Sequence, residues 1–133
     1  MCIFKCLAGQ AAIHDIDRIV LRLEDEGMER GYVQVYTGNG KGKTTAMLGL
    51  ALRACGAGLR VYIGQFIKNM EYSEVAAIKN YLPTVEIEQY GTGCIFHREP
   101  SEADRAGAVE GFLKAREAVL SNKYDIVMLD ENQ

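Results

Sequence analysis

Between residues 37 and 45 the chain reads Thr-Gly-Asn-Gly-Lys-Gly-Lys-Thr-Thr, and no other stretch restricts its fold so strongly. Before it, Tyr32-Val33-Gln34-Val35-Tyr36 has the β-branched and aromatic character of a strand. After it, Met47, Leu48, Leu50, Ala51 and Ala54 form a helical stripe from Lys43 to Cys55, which Gly56 and Gly58 end. The loop must therefore turn a strand into a helix. Glycines at 38, 40 and 42 allow backbone conformations that aim successive N–H groups into one concavity. The helix opening near Lys43 adds its N-terminal partial positive charge at the same place. Lys43 supplies a full charge for outer phosphates, and the Thr44 hydroxyl can ligate Mg²⁺ (or Mn²⁺). Gly38, Asn39, Gly40, Lys41, Gly42, Lys43, Thr44 and Thr45 thus describe a nucleotide triphosphate site. The general pattern asks for Gly five residues before Gly42, where this chain has Thr37. A glycine-rich turn with incidental lysines is the alternative, but such a turn has no need for two lysines among three glycines.

The rest of the chain alternates in the same way. Arg60 to Phe66 reads as a strand, Ser73 to Tyr81 as a helix stopping before Pro83, and Val85 to Tyr90 as a strand with period two. A loop runs from Gly91 to Pro100. Ser101-Glu102-Ala103-Asp104 is a capping-box-like start to a helix reaching about Leu120. Ile126-Val127-Met128-Leu129 is a continuous apolar run, as in a strand buried on both faces, and it delivers Asp130-Glu131 at its end. This order implies an α/β fold: a mostly parallel sheet with helices on both faces, of the P-loop NTPase-like kind. Ligands in such sheets bind beyond the carboxyl ends of the strands. One of Asp130 and Glu131 can ligate the metal ion, directly or through water, while the other polarises water or accepts a hydrogen bond. Spacing leaves open which does which, and a solvated acidic terminus is the plainer alternative.

Ahead of the first strand, Ile13, Ile16, Ile19, Val20 and Leu23 recur at helical spacing, with Asp17, Arg18, Arg22, Glu24 and Asp25 between them. The first element is expected to be this amphipathic helix. The chain then divides into a helical extension over 1–30 and a nucleotide-binding α/β domain over 31–133.

At 133 residues there is room for one full-sized domain. A formal charge of −3 argues against a nucleic-acid-coating protein, so any bound anion is held by a local site. No apolar run approaches the ~18 residues that span a bilayer. Met1 to Gly9 is too short and too weakly charged for a secretory signal. A soluble, cytoplasmic protein is expected, without nucleic-acid or membrane partners. Cys2 and Cys6 are the only close pair among four cysteines, and reduced thiols are expected. His14 and His97 read as surface or structural residues.

The loop from Thr37 to Thr45 resembles the modified phosphate loop of the corrinoid adenosyltransferases, the ATP:cob(I)alamin adenosyltransferases of the single-domain P-loop type. In that family Thr likewise stands where the general pattern has Gly. Gln65-Phe66-Ile67-Lys68 is similar to the family's second-strand motif, and Thr92-Gly93 with Glu102-Ala103-Asp104 to its loop and following helix. Leu129-Asp130-Glu131 is similar to its acidic strand end. The resemblance runs from Gly31 to Glu131. It implies that cobalt(I) of a reduced corrinoid attacks the 5′ carbon of ATP and that triphosphate departs. Lys43 and the metal ion would stabilise the departing charge, with Glu131 favoured as a metal contact and catalytic residue. Phe96 would pack against the corrinoid, and no general base would be needed. The resemblance further implies a homodimer, in which the Ile13 to Leu23 helix closes over a partner's site, and an electron-donating reductase. Family members continue past the acidic pair with further strand–helix units, whereas this sequence stops at Gln133. A non-catalytic ATP-binding module and a P-loop kinase or NTPase are the competing readings.

Overall fold

The computed structural model describes residues 2–6, 31–68, 70, 72–93 and 99–131. In chain order the elements are β1 (Cys2–Cys6), β2 (Tyr32–Tyr36), α1 (Lys43–Gly56), β3 (Val61–Phe66), α2 (Ser73–Tyr81), β4 (Val85–Tyr90), α3 (Glu102–Leu120) and β5 (Ile126–Asp130). They form one five-stranded sheet in the order β2-β1-β5-β3-β4. β3 runs parallel to β4 and β5, while β1 is antiparallel to both β2 and β5. Four strands therefore share one direction, as the strand–helix alternation implies.

The exception corrects one expectation. The first element is the strand β1, not a helix, and it lies inside the sheet although its residues fall in the stretch read as an extension. Five residues are too few for a periodic signal. Pairing on both sides, with β2 and β5, gives β1 its hydrogen bonds, and that pairing is invisible to local pattern. The helix expected over 13–23 lies outside the described residues.

Strand register organises the core in rows. Val61 lies opposite Val85 and Ile126, and Ile63 opposite Ile87 and Met128. These two rows pack against Met47, Ala51 and Ala54 of α1 and Val75 and Ile78 of α2. Spacing of three and four residues puts the α1 contacts on one helix face. Met47, Ile63 and Met128 are fully buried, each burial stabilising by roughly 1.5–3 kcal/mol. On the opposite face Tyr62 and Val127 pack with Ala118 of α3. The capping box read from the sequence starts α3: Ser101 Oγ accepts from the Asp104 N–H at 3.2 Å, and Asp104 Oδ2 accepts from the Ser101 N–H at 2.8 Å.

At the amino ends of the strands, Asp125 joins β3 to β5. It accepts from the Arg60 backbone N–H at 2.8 Å and from its guanidinium at 2.9 and 3.1 Å. The Arg60 hydrogen bond, its largest cause, holds the Asp125 carboxyl below the usual carboxylate range.

Candidate functional site

The third row of the sheet breaks the apolar pattern. Gln65 lies opposite Gln89 on one side and Asp130 on the other, directly beyond the Ile87–Ile63–Met128 row. Three strands thus end in polar side chains on the face that α1 covers. Gln65 and Asp130 have no exposed surface. Buried polar groups need partners, and here they find them in line. Gln89 Nε2 donates to Gln65 Oε1 at 3.1 Å and to the Met70 carbonyl at 3.1 Å, and Gln65 Nε2 donates to Asp130 Oδ2 at 3.3 Å. The chain of bonds fixes the Gln65 amide, with its NH₂ toward the carboxylate.

Asp130 is the meeting point. Thr44 Oγ1 donates to its two oxygens at 3.1 and 3.0 Å, across 86 residues of sequence, and Lys68 Nζ bonds Oδ2 at 2.8 Å. Lys68 reaches it through an unusual turn: Ile67 has φ 57°. For a β-branched residue this conformation is an outlier, of the kind that persists where the surroundings over-determine it. Here the Lys68 N–H bonds the Tyr90 carbonyl at 3.3 Å. Gly91, itself at φ 106°, comes so close that a Cβ there would lie 3.3 Å from the Ile67 Cα.

The phosphate loop is exposed from Thr37 to Gly42. Gly38 at φ 143° and Gly42 at φ 107° take backbone conformations that side chains disfavour. Gly42 caps α1 without a side-chain hydrogen bond, and the first turn of α1 carries no acidic residue. The opening amides of α1 and their partial positive charge thus lie at the end of the loop, with no side chain capping them. Lys43 Nζ donates to the carbonyls of Gly38 at 2.7 Å and Gly40 at 2.9 Å, folding the ammonium over the loop.

The structure therefore brings together the loop, Lys43, Thr44 and Asp130. Of the two adjacent carboxylates it is Asp130 that faces Thr44. Glu131 sits past the strand end at φ 58°, half-buried, where the chain changes direction. Thr92 and Asp104, quoted separately in the sequence, also meet: Asp104 Oδ1 accepts from both the backbone N–H and the hydroxyl of Thr92. Phe96, Cys94, His14 and His97 lie outside the described residues. Sequence reasoning did not single out Gln89, and quoted Gln65 and Lys68 only as motif members. The signal for Gln65 and Gln89 was a polar residue following an alternating apolar set on each of two strands.

Chemically, Thr44 and Asp130 offer an all-oxygen donor set that already faces one cation, the Lys68 ammonium. Such a set fits Mg²⁺ or Mn²⁺, which needs one or two carboxylates and takes its other ligands from phosphates and water. Among the described residues no three His, Cys, Asp or Glu side chains form a closed metal cage.

On the other face, Glu88 Oε2 accepts from Tyr62 at 2.7 Å and from Tyr90, and the two tyrosine hydroxyls lie 2.6 Å apart. Burial raises both tyrosines well above their ordinary range, helped at Tyr62 by its bonds to Tyr90 and Glu88 and at Tyr90 by its bond to Glu88, which outweighs a lowering by Tyr62. Burial and a bond to Glu86 push Tyr124 up to about 12. This cluster packs under α3, away from Asp130.

So arranged, the chain is an α/β protein of the phosphate-loop class. Its family is narrower. Residues 29–133 match the family model of the ATP:corrinoid adenosyltransferase BtuR/CobO/CobP, and the chain belongs to that family. It is 37% identical over 118 residues to the corrinoid adenosyltransferase of Escherichia coli (strain K12), covering 87% of this chain and 57% of the relative. Similar values hold for the corrinoid adenosyltransferase CobA of Salmonella typhimurium, at 37% over 117 residues, 86% of this chain and 58% of the relative. The corrinoid adenosyltransferase of Pseudomonas aeruginosa is 30% identical over 117 residues, 87% of this chain and 56% of the relative. The chain thus spans less than two-thirds of the length of these relatives. No solved structure matches it. Among the described residues no helix is long and apolar enough to cross a membrane.

Proposed function

We propose that this chain holds ATP for transfer of its 5′-deoxyadenosyl group to the cobalt of a reduced corrinoid, with inorganic triphosphate released. Family membership supports the reaction. The single structural observation that carries the reading is the Thr44–Asp130 contact beside a glycine-rich loop over which the Lys43 ammonium is folded.

In the proposed reaction the electron pair of cobalt(I), a substrate atom, forms the cobalt–carbon bond. The bond from C5′ to the triphosphate oxygen breaks, and triphosphate leaves with its electrons. No proton moves, so no general base is required. The protein's contribution is preorganised positive potential where the leaving group gathers charge. The amides of residues 38–44 and the Lys43 ammonium supply it. Thr44 and Asp130 would hold Mg²⁺ or Mn²⁺, with Glu131 at the same strand end, and the ion would neutralise phosphate charge when bound. Phe96 is the corrinoid contact in this reading, a second copy of the chain completes a homodimer, a reductase supplies the electron, and the setting is the cytoplasm.

The test incubates the protein with ATP, Mg²⁺ and chemically reduced cobalamin, and measures adenosylated corrinoid and triphosphate. Equal amounts of both are expected from the wild type. Lys43→Ala should lose activity by about 10²-fold or more, the scale of one lost leaving-group donor. ADP and phosphate in place of triphosphate would overturn the proposal in favour of a kinase or NTPase. Tight ATP binding without a corrinoid product would leave a binding module.

A further inference from the structure

Lys68 belongs to no part of the chemistry above, yet its position is tightly specified. Its ammonium sits 2.8 Å from Asp130 Oδ2, on the carboxylate that Thr44 also touches, with 17% of the side chain exposed and none of Asp130's. The backbone is bent to put it there. Ile67 takes a left-handed conformation, the Lys68 N–H is tied to Tyr90, and Gly91 at φ 106° packs closely against the turn. A buried carboxylate keeps its charge only where donors or a counter-charge replace its lost hydration, and Lys68 adds a full positive charge to the bonds from Thr44 and Gln65. A hard divalent cation would seek the same oxygens. An ammonium and a doubly charged ion cannot both contact one carboxylate without strong mutual repulsion.

We propose that Lys68 is a resident counter-cation for Asp130, held in place until a divalent metal arrives with nucleotide and displaces it. Asp130 then faces a counter-cation in both states: ammonium in one, metal in the other. Lys68 is a positioning residue, because it preserves Asp130 as a charged, correctly aimed ligand and sets a threshold against metal without nucleotide. The partly exposed side chain has a path toward solvent when it is displaced. This inference rests on reading Thr44 and Asp130 as the metal side of the site.

The test measures Mn²⁺ binding to the full chain by the loss of the free-ion electron paramagnetic resonance signal, with and without ATP. Thermal unfolding is followed in parallel in EDTA and in saturating Mn²⁺. Without nucleotide, Lys68→Met should bind Mn²⁺ about tenfold more tightly than the wild type, the scale of one adjacent charge. Lys68→Arg should behave like the wild type. Lys68→Met should also unfold at lower temperature in EDTA and regain the difference in Mn²⁺. Lys68→Gln gives the same comparison if the methionine variant does not fold. Equal or weaker Mn²⁺ binding by the charge-removed variants, or a deficit that Mn²⁺ does not restore, would make Lys68 a purely structural partner and overturn the inference. Absence of Mn²⁺ binding to ATP-loaded wild type would instead remove the metal-site reading beneath it.

Discussion

A carboxylate with no exposed surface needs donors, and Asp130 draws them from Thr44 on α1, Gln65 on β3 and Lys68 in the turn after β3. Each donor comes from a different element, so the residue reports on the packing of all three. Replacing it with asparagine keeps the shape but leaves the Lys68 ammonium opposite an amide. Breaking a buried pair by removing one charge costs about 3 kcal/mol. Asp130→Asn is therefore expected to shift the urea unfolding midpoint to lower denaturant with an unchanged slope. A midpoint like that of the wild type would mean that Lys68 finds another partner at no loss.

Among the elements, α1 and α3 use glycine for opposite reasons. Gly49 of α1 is exposed, and a Cβ there would meet nothing within 4 Å. Gly111 of α3 is pressed against the sheet, where a Cβ would stand 2.6 Å from Phe66 and 2.7 Å from Tyr90. Gly49→Ala should raise unfolding free energy by about 0.5–1 kcal/mol through backbone entropy and helix propensity. Gly111→Ala gains the same helical preference but forces α3 away from two aromatic rings. Overpacking of this kind costs about 1–3 kcal/mol, so the net change should be destabilising. Chemical denaturation of the two variants side by side checks the contrast. A stabilised Gly111→Ala would show that the α3–sheet spacing is loose.

For the whole molecule, pH reads out the contacts that join strands distant in sequence. Asp125 is held below its ordinary value by Arg60, so the pair contributes stability that is present above the unfolded carboxylate's 3.8. That stability is lost as pH falls through the lower folded value. Asp125→Asn has no such charge to lose. Its deficit against the wild type should be full at neutral pH and close as pH falls below 3.8, followed by thermal unfolding across an acid series. At the other limit Tyr124 is raised to about 12. Its contribution is complete below the free tyrosine value of about 10 and declines as pH rises toward 12. Tyr124→Phe should flatten that alkaline decline. A deficit of Asp125→Asn that is constant with pH would mean that the Arg60 contact acts by shape and not by charge.

Much of this protein could be read from its residues in order. The strand–loop–helix around Gly38 to Gly42, the Ser101–Asp104 cap and the apolar run before Asp130 are local signals, because propensity, capping and periodicity act over a few neighbouring positions. Those signals were enough for the α/β class and for the phosphate loop. They could not place β1 between β2 and β5, align Gln89, Gln65 and Asp130 across three strands, or turn Ile67 so that Lys68 meets a carboxylate 62 residues away. Register and strand order are set by pairings between distant segments, whose energies depend on what each strand buries against the others and not on its own sequence. The chain's order therefore dictated the elements from β2 to β5 and the glycine-rich loop that joins β2 to α1. Only the folded sheet decided which side chains stand beside it.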